Sequence, residues 1–258
     1  MTELWINQLS IGNGETNLLH NIQARIPLGE LTTIIGPSGA GKTVLVKSIL
    51  GSIPPGFQVR GTIFLDQVDL LQDKGSYSQQ VRGKRIGYLP QNPMAIFNPR
   101  QRIIGHFIDS LKSHQKISRE LCRKLAGEKL GLVGLAHTDR LLDAFPWELS
   151  GGTLQRIMLA ILLALEPSIL ILDEPTSALD AYHTSRVVKT IKDLLAMGKT
   201  ILLVSHDYVL VRELGGHVLV IEEGIRKESA PIGELLLNSQ FTDRYDSFLQ
   251  DRFERLVK

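Results

Sequence analysis

Leu31-Thr32-Thr33-Ile34-Ile35-Gly36-Pro37-Ser38-Gly39-Ala40-Gly41-Lys42-Thr43 sets the architecture. The β-branched run stops at Gly36, and Val44, Leu45, Lys47, Ser48 and Ile49 resume at helical spacing, so the stretch reads as strand, loop and helix. The loop, Gly36 to Thr43, matches G-x-x-x-x-G-K-[ST]. Its glycines let successive backbone N–H groups curl round phosphate oxygens, and the positive end of the helix that follows faces the anion. Lys42 then brings a charge to the β/γ-phosphates and Thr43 a hydroxyl to Mg²⁺. A bound nucleoside triphosphate is the reading.

Two further apolar runs share the first one's design. Ile169 to Leu172 ends in Asp173, and Thr200 to Val204 ends before Ser205, as in strands buried on both faces of a parallel sheet. In open α/β sheets ligands bind beyond the carboxyl ends of the strands, so Gly36, Asp173 and Ser205 to Asp207 are expected to converge. Asp173 suits Mg²⁺ binding, directly or through water, and Glu174 is placed to orient or deprotonate an attacking water. Ser150-Gly151-Gly152 precedes a strongly helical run to Leu165, which makes a second helix start with a capping hydroxyl and exposed N–H groups.

Between about Pro93 and Leu149 the strand pattern disappears. Leu121, Cys122, Leu125, Ala126 and Leu130 follow helical spacing within Ser118 to Leu135, which predicts an inserted helical lobe. Phe241, Tyr245, Phe248, Leu249 and Leu256 predict a C-terminal helix.

Composition narrows the classes. Lys and Arg number 29 against 27 Asp and Glu, a net +2, which gives no polyelectrolyte grip on nucleic acid. Cys122 is the single cysteine and can form no bridge within the chain, which favours a reducing compartment. Met1 to Ile11 does not read as a secretory signal, and the Ile157 to Leu165 run falls short of the ~18 apolar residues that span a bilayer. The histidines show no metal-ligand spacing such as H-E-x-x-H.

Together these segments resemble the ATP-binding subunits of ABC transporters, from Leu4 to about Glu228. The resemblance comprises a Walker A loop (Gly36, Pro37, Ser38, Gly39, Ala40, Gly41, Lys42, Thr43), a Q-loop at Gln91 and the signature Leu149 to Arg156. Walker B at Ile169 to Glu174, a D-loop at Ser177 to Asp180 and a switch histidine, His206, complete it. It implies an α/β P-loop NTPase of RecA-like type, with a mostly parallel sheet core, an antiparallel N-terminal β part and an inserted helical subdomain. The implied divisions are 1–92 and 153–235 for the nucleotide-binding core, 93–152 for the helical insert and 236–258 for a helical tail.

The resemblance implies ATP and Mg²⁺ as cofactors, with Thr43, Gln91 and Asp173 serving the metal. Glu174 is the implied general base, and His206 the contact to the γ-phosphate. Two such subunits face head to tail in that family, so Ser150, Gly151, Gly152 and Asp180 serve nucleotide held by the partner. Two departures stand out. The family's adenine-stacking aromatic, about 23 residues before Gly36, falls on Asn13, which leaves Trp5 or another ring for that contact; Thr153 replaces the signature's usual glutamine.

Finer resemblance lies in Gln91 to Pro99 and Phe145 to Ser150, which are similar to the ATPases of oligopeptide, dipeptide and nickel importers. With one cysteine and no cysteine-rich C-terminal segment, the chain is more like the nickel-type form. The implied partners are a second, non-identical ATPase subunit, two transmembrane permease subunits and, indirectly, an extracytoplasmic binding protein, at the cytoplasmic face of the membrane. Phe97 is expected at the permease-docking groove. The alternative is a nucleotide-gated regulatory subunit with weak hydrolysis of its own. DNA-repair ATPases of this kind separate their Walker motifs by long coiled coils, translation ATPases usually carry two cassettes per chain, and small-molecule kinases or GTPases have no use for Leu149 to Arg156, so none of these fits.

Overall fold

A computed structural model of the chain describes residues 3–72, 81, 84–177 and 179–238. The chain packs as two compact units, one formed by Met1–Gly75 with Leu202–Lys258 and the other by Ser76–Ile201.

The first unit opens with β1 (Glu3–Gly12) and β2 (Asn17–Pro27), which join β4 (Gln58–Leu65) and β5 (Val68–Asp69) in an antiparallel sheet of order β2-β1-β4-β5. Leu4 and Ile6 point inward, but so do Leu9 and Ile11, which breaks strict alternation. The break is a bulge: Gln8 takes φ +50°, and the registers to both neighbouring strands shift there. Asn13 closes the β1–β2 turn, its Oδ1 accepting from Glu15 N at 3.1 Å and Thr16 N at 2.8 Å.

The same unit holds β3 (Leu31–Ile35), most of β8 (Thr200–Val204), β9 (His217–Glu222) and β10 (Ile225–Pro231), in the order β10-β9-β3-β8. β3 and β9 run parallel and β10 returns antiparallel. All five residues of β3 are buried, Thr32 and Thr33 among them, as in a strand covered on both faces. Helices α1 (Lys42–Ile49), α7 (Tyr208–Leu214) and α8 (Ile232–Leu235) belong here, and Ile35, Val211, Val218, Val220, Ile232 and Leu235 form a shared core.

The second unit pairs β6 (Ile86–Leu89) with β7 (Ile169–Asp173) in parallel register, Leu89 opposite Leu172. Its helices are α2 (Ile103–Lys112), α3 (Arg119–Leu132), α4 (Thr138–Asp143), α5 (Gly151–Leu165) and α6 (Ala181–Ala196). Among the described residues no strand occurs between Gln91 and Pro167, so the sequence's expectation of a helical middle holds. α3 starts where Ser118 Oγ accepts from Leu121 N at 3.2 Å; it buries Cys122, Ala126 and Leu130 but leaves Leu121 exposed. Arg123 fastens α4 to α3 through Asp139 at 3.1 Å and Asp143 at 2.8 Å. α5 is buried on every side from Leu154 to Ala164, the mark of a central helix. The expected C-terminal helix on Phe241 to Leu256 lies outside the described residues.

His106 on α2 packs edge-on to Phe97, ring centroids 4.8 Å apart, and bonds to the backbone of Asn98 and Gln101. Its Nε2 is buried without a hydrogen-bond partner, and burial holds its pKa below the usual value, outweighing the nearby Asp109. Above a pH of about 6.5 both folded and unfolded chains carry this ring neutral and its contribution is constant. As pH falls through that value the unfolded chain takes the proton first, so stability declines until the folded pKa is passed. The urea midpoint should therefore drop between pH 7.5 and 5.5, and His106→Asn should flatten part of that drop. An unchanged pH slope in the variant would remove His106 as a source.

Candidate active site

The phosphate loop is built by close approach. Gly36 takes φ +148°, and a Cβ there would run into the carbonyl oxygen of Ile221 on β9, so only glycine fits. The chain then passes through Pro37, Ser38, Gly39 and Ala40 to Gly41, the N-cap of α1, where no side chain caps the helix and no acidic residue sits in the first turn. Lys42, only 8% exposed, folds its Nζ back onto Gly36 O and Pro37 O, each at 2.8 Å. Thr43 follows, partly buried, on the first turn. A cationic lysine lying along a glycine cradle at a helix start is the donor set that triphosphate oxygens need.

The same unit carries His206, the residue whose place in sequence resembles a switch histidine. Ser205 N donates to Ile34 O at 3.2 Å, so β8 and β3 finish side by side, and Gly36 and His206 leave the sheet at neighbouring strand ends. His206 is exposed, while Asp207 starts α7 by accepting from Leu210 N at 3.2 Å.

The second unit holds the acidic and signature elements. Asp173 is fully buried at the end of β7, with Tyr88 on β6 donating its hydroxyl to Asp173 Oδ2 at 3.2 Å. Burial above all, then the Asp173 charge, pushes the Tyr88 phenol well above its usual range. Gln91 is exposed two residues beyond β6, whose end lies beside that of β7.

Glu174 adopts a left-handed φ of +53°, uncommon outside glycine and asparagine, and its backbone is held there. Its carbonyl accepts from Gln155 Nε2 at 3.1 Å, Ser177 Oγ at 3.0 Å and Ser177 N at 3.3 Å. Gln155 is 2% exposed on α5, so the signature helix reaches across to fix the turn that presents the glutamate. Tyr88 and Gln155 had no signal as site residues in sequence, because each acts on a partner many positions away.

Ser150 caps α5 as the sequence predicts, its Oγ accepting from Thr153 N at 3.3 Å. Thr153, the departure from the family's glutamine, adds its own hydroxyl 2.9 Å from Ser150 Oγ. Gly151 and Gly152 form the first turn beside the exposed Ser150. Asp180 stands at the start of α6, accepting from His183 N at 2.8 Å.

Two expectations change. Phe97 is buried against His106, at 5% exposure, and the exposed apolar groups of its segment are Met94 and Ile96. An irregular stretch has no fixed period, so sequence did not reveal which side faces inward. Trp5 is also committed, stacked on Phe64 at 5.8 Å with the Arg25 guanidinium 5.4 Å from its ring.

The ABC transporter family model matches residues 19–177, more than half of the chain, and the chain belongs to that family. It is 35% identical over 225 residues to the oligopeptide transport ATP-binding protein OppD of Bacillus subtilis, which is 86% of this chain and 63% of that protein. It is 36% identical over 220 residues to the nickel import ATP-binding protein NikD of Pseudomonas putida, 84% of this chain and 83% of the relative. The chain spans only 36% of the OppD of Mycobacterium tuberculosis. A solved dimeric ATP-binding cassette, in a post-hydrolysis state with ADP and Pi, superposes with a TM-score of 0.80 at 26% identity over 88% of this chain and 98% of that one. The fold is that of the ATP-binding cassettes.

Gln155→Met keeps the volume of the side chain and removes the donor to Glu174 O. With Ser177 still satisfying that carbonyl, loss of the one bond should cost about 0.5–1.5 kcal/mol in urea unfolding. A loss under about 0.5 kcal/mol, the scatter of neutral substitutions, would show that Ser177 alone holds the turn.

Proposed function

We propose that the chain is the ATP-hydrolysing subunit of an ABC importer for nickel, another metal chelate or peptides. The observation that carries this reading is the Gly36–Thr43 loop, where Gly36 admits no Cβ and Lys42 lies along the loop's own carbonyls. Residues 1–92 and 153–235 serve as the nucleotide-binding core and 93–152 as the helical insert.

In this reading the N–H groups of Gly39 to Thr43 and the Lys42 ammonium take the phosphates of ATP. As their motifs imply, Thr43, Gln91 and Asp173 would each serve Mg²⁺, which would supply charge neutralisation to the phosphates. Asp173 suits a metal because its carboxylate is fully buried and steadied by Tyr88. Glu174 takes a proton from the attacking water as its oxygen closes on the γ-phosphorus and the bond from that phosphorus to the β–γ bridging oxygen breaks, releasing ADP and phosphate, and His206 steadies the γ-phosphate. Ser150, Gly151, Gly152 and Asp180 serve the nucleotide of a second ATPase subunit facing head to tail, a non-identical homologue. Closure of that pair is passed to two permease subunits, with Met94 and Ile96 as the apolar groups offered to them. Among the described residues no helix is long and apolar enough to cross a membrane, which suits attachment through a permease at the cytoplasmic face.

A second reading, a nucleotide-gated regulatory subunit of weak turnover, draws on Asn13. That side chain is spent on its turn, and Trp5 is spent on Phe64 and Arg25, so neither offers a free ring to adenine.

Glu174→Gln separates the two. For the hydrolytic subunit it should leave ATP binding intact and lower turnover by about 10²–10⁴, the usual effect of losing a catalytic base. Turnover that is already negligible in the unaltered chain and its complex would select the regulatory reading. Uptake of labelled nickel against labelled peptide in a deletion strain assigns the cargo.

A further inference from the structure

The turn that ends in Asp180 and the start of the signature helix are joined by a continuous line of contacts inside the second unit. The ring of His183 closes on the carboxylate it already caps by its N–H, with Nδ1 2.8 and 2.9 Å from the two Asp180 oxygens. Tyr182 packs edge-on to that ring, centroids 5.3 Å apart. The Tyr182 hydroxyl accepts from Arg186 Nε at 3.1 Å and Nη2 at 2.8 Å.

Arg186 then lies on Gly134. A Cβ on Gly134 would sit 2.6 Å from Arg186 Cδ, and the residue's φ of +75° also demands glycine. Gly134 O in turn accepts from Arg156 Nη1 at 3.5 Å, and Arg156 Nε donates to Gly152 O at 3.3 Å. Arg156 is 8% exposed, so this end of the line is buried. Asp180 is 65% exposed at its side chain and would sample several rotamers if held by a single N–H; the His183 ring supplies the second hold.

We propose that His183, Tyr182, Arg186 and Gly134 form a positioning network that ties the Asp180 carboxylate to the Ser150–Gly152 helix start, so that the two segments shift as one. This rests on the reading that both segments serve a nucleotide on a second subunit. None of the four touches the reacting atoms. His183 orients Asp180 through both oxygens, Arg186 spans Tyr182 and Gly134, and Arg156 completes the line into the signature. Chains of contiguous contacts of this kind can carry coupling between two segments.

The test uses the full chain, alone and in its transporter complex. In the complex, His183→Ala and Arg186→Ala should each lower kcat for ATP by about two- to thirtyfold with KM nearly unchanged. His183→Asn, whose amide N–H can still reach the carboxylate, should recover most of the loss. The double variant should be little worse than the poorer single one, since both break the same line. In the isolated chain, hydrogen exchange should quicken in peptides covering residues 150–158 when His183 is replaced. Where Arg186→Ala fails to fold, Tyr182→Phe removes the shared hydroxyl and takes its place. Unaltered exchange at 150–158, independent kcat losses in the double variant, or no rescue by asparagine would each overturn the network. A wild-type complex that does not hydrolyse ATP would instead overturn the functional reading, while the exchange data would still decide the coupling.

Discussion

The hydrogen bond from the Gln155 side chain to the Glu174 backbone carbonyl constrains what the second unit can do. Glu174 holds a left-handed backbone that costs of order 1 kcal/mol or more for a residue with a Cβ, so the surroundings must fix it. Ser177 supplies two bonds from within the turn, and Gln155 the third from a buried helix. The helix that begins at Ser150 is therefore also the one that steadies the backbone turn at Glu174.

The first unit solves a different problem, that of an anion. A buried ammonium is costly without partners, and Lys42 meets that cost by lying on Gly36 O and Pro37 O. The loop itself is fixed by the lack of room between Gly36 and Ile221 on a neighbouring strand. A larger residue there would push the loop off the sheet and move every N–H that follows. The cradle thus depends on the pairing of β3 with β9, strands separated by most of the chain.

The departure at Asn13 has a local cause. The turn between β1 and β2 is closed by an Asn side chain accepting two backbone N–H groups, a task an aromatic ring cannot do. This chain uses the position to close the turn. At Thr153 the substitution adds a hydroxyl to the cap already made by Ser150, leaving the helix start unchanged in kind.

By itself the sequence determined the elements whose physics is local. The Gly36–Thr43 loop, the Ser150 cap, the fully buried strands at residues 31–35, 169–173 and 200–204 and the helical middle each follow from residues within a few positions of one another. Tertiary structure alone decided Tyr88 on Asp173, Gln155 on Glu174, Arg186 on Gly134 and the burial of Phe97. Those contacts join residues from 9 to 85 positions apart. Periodicity and motif spacing report which face of one element is apolar, and they are silent on which distant backbone that face meets.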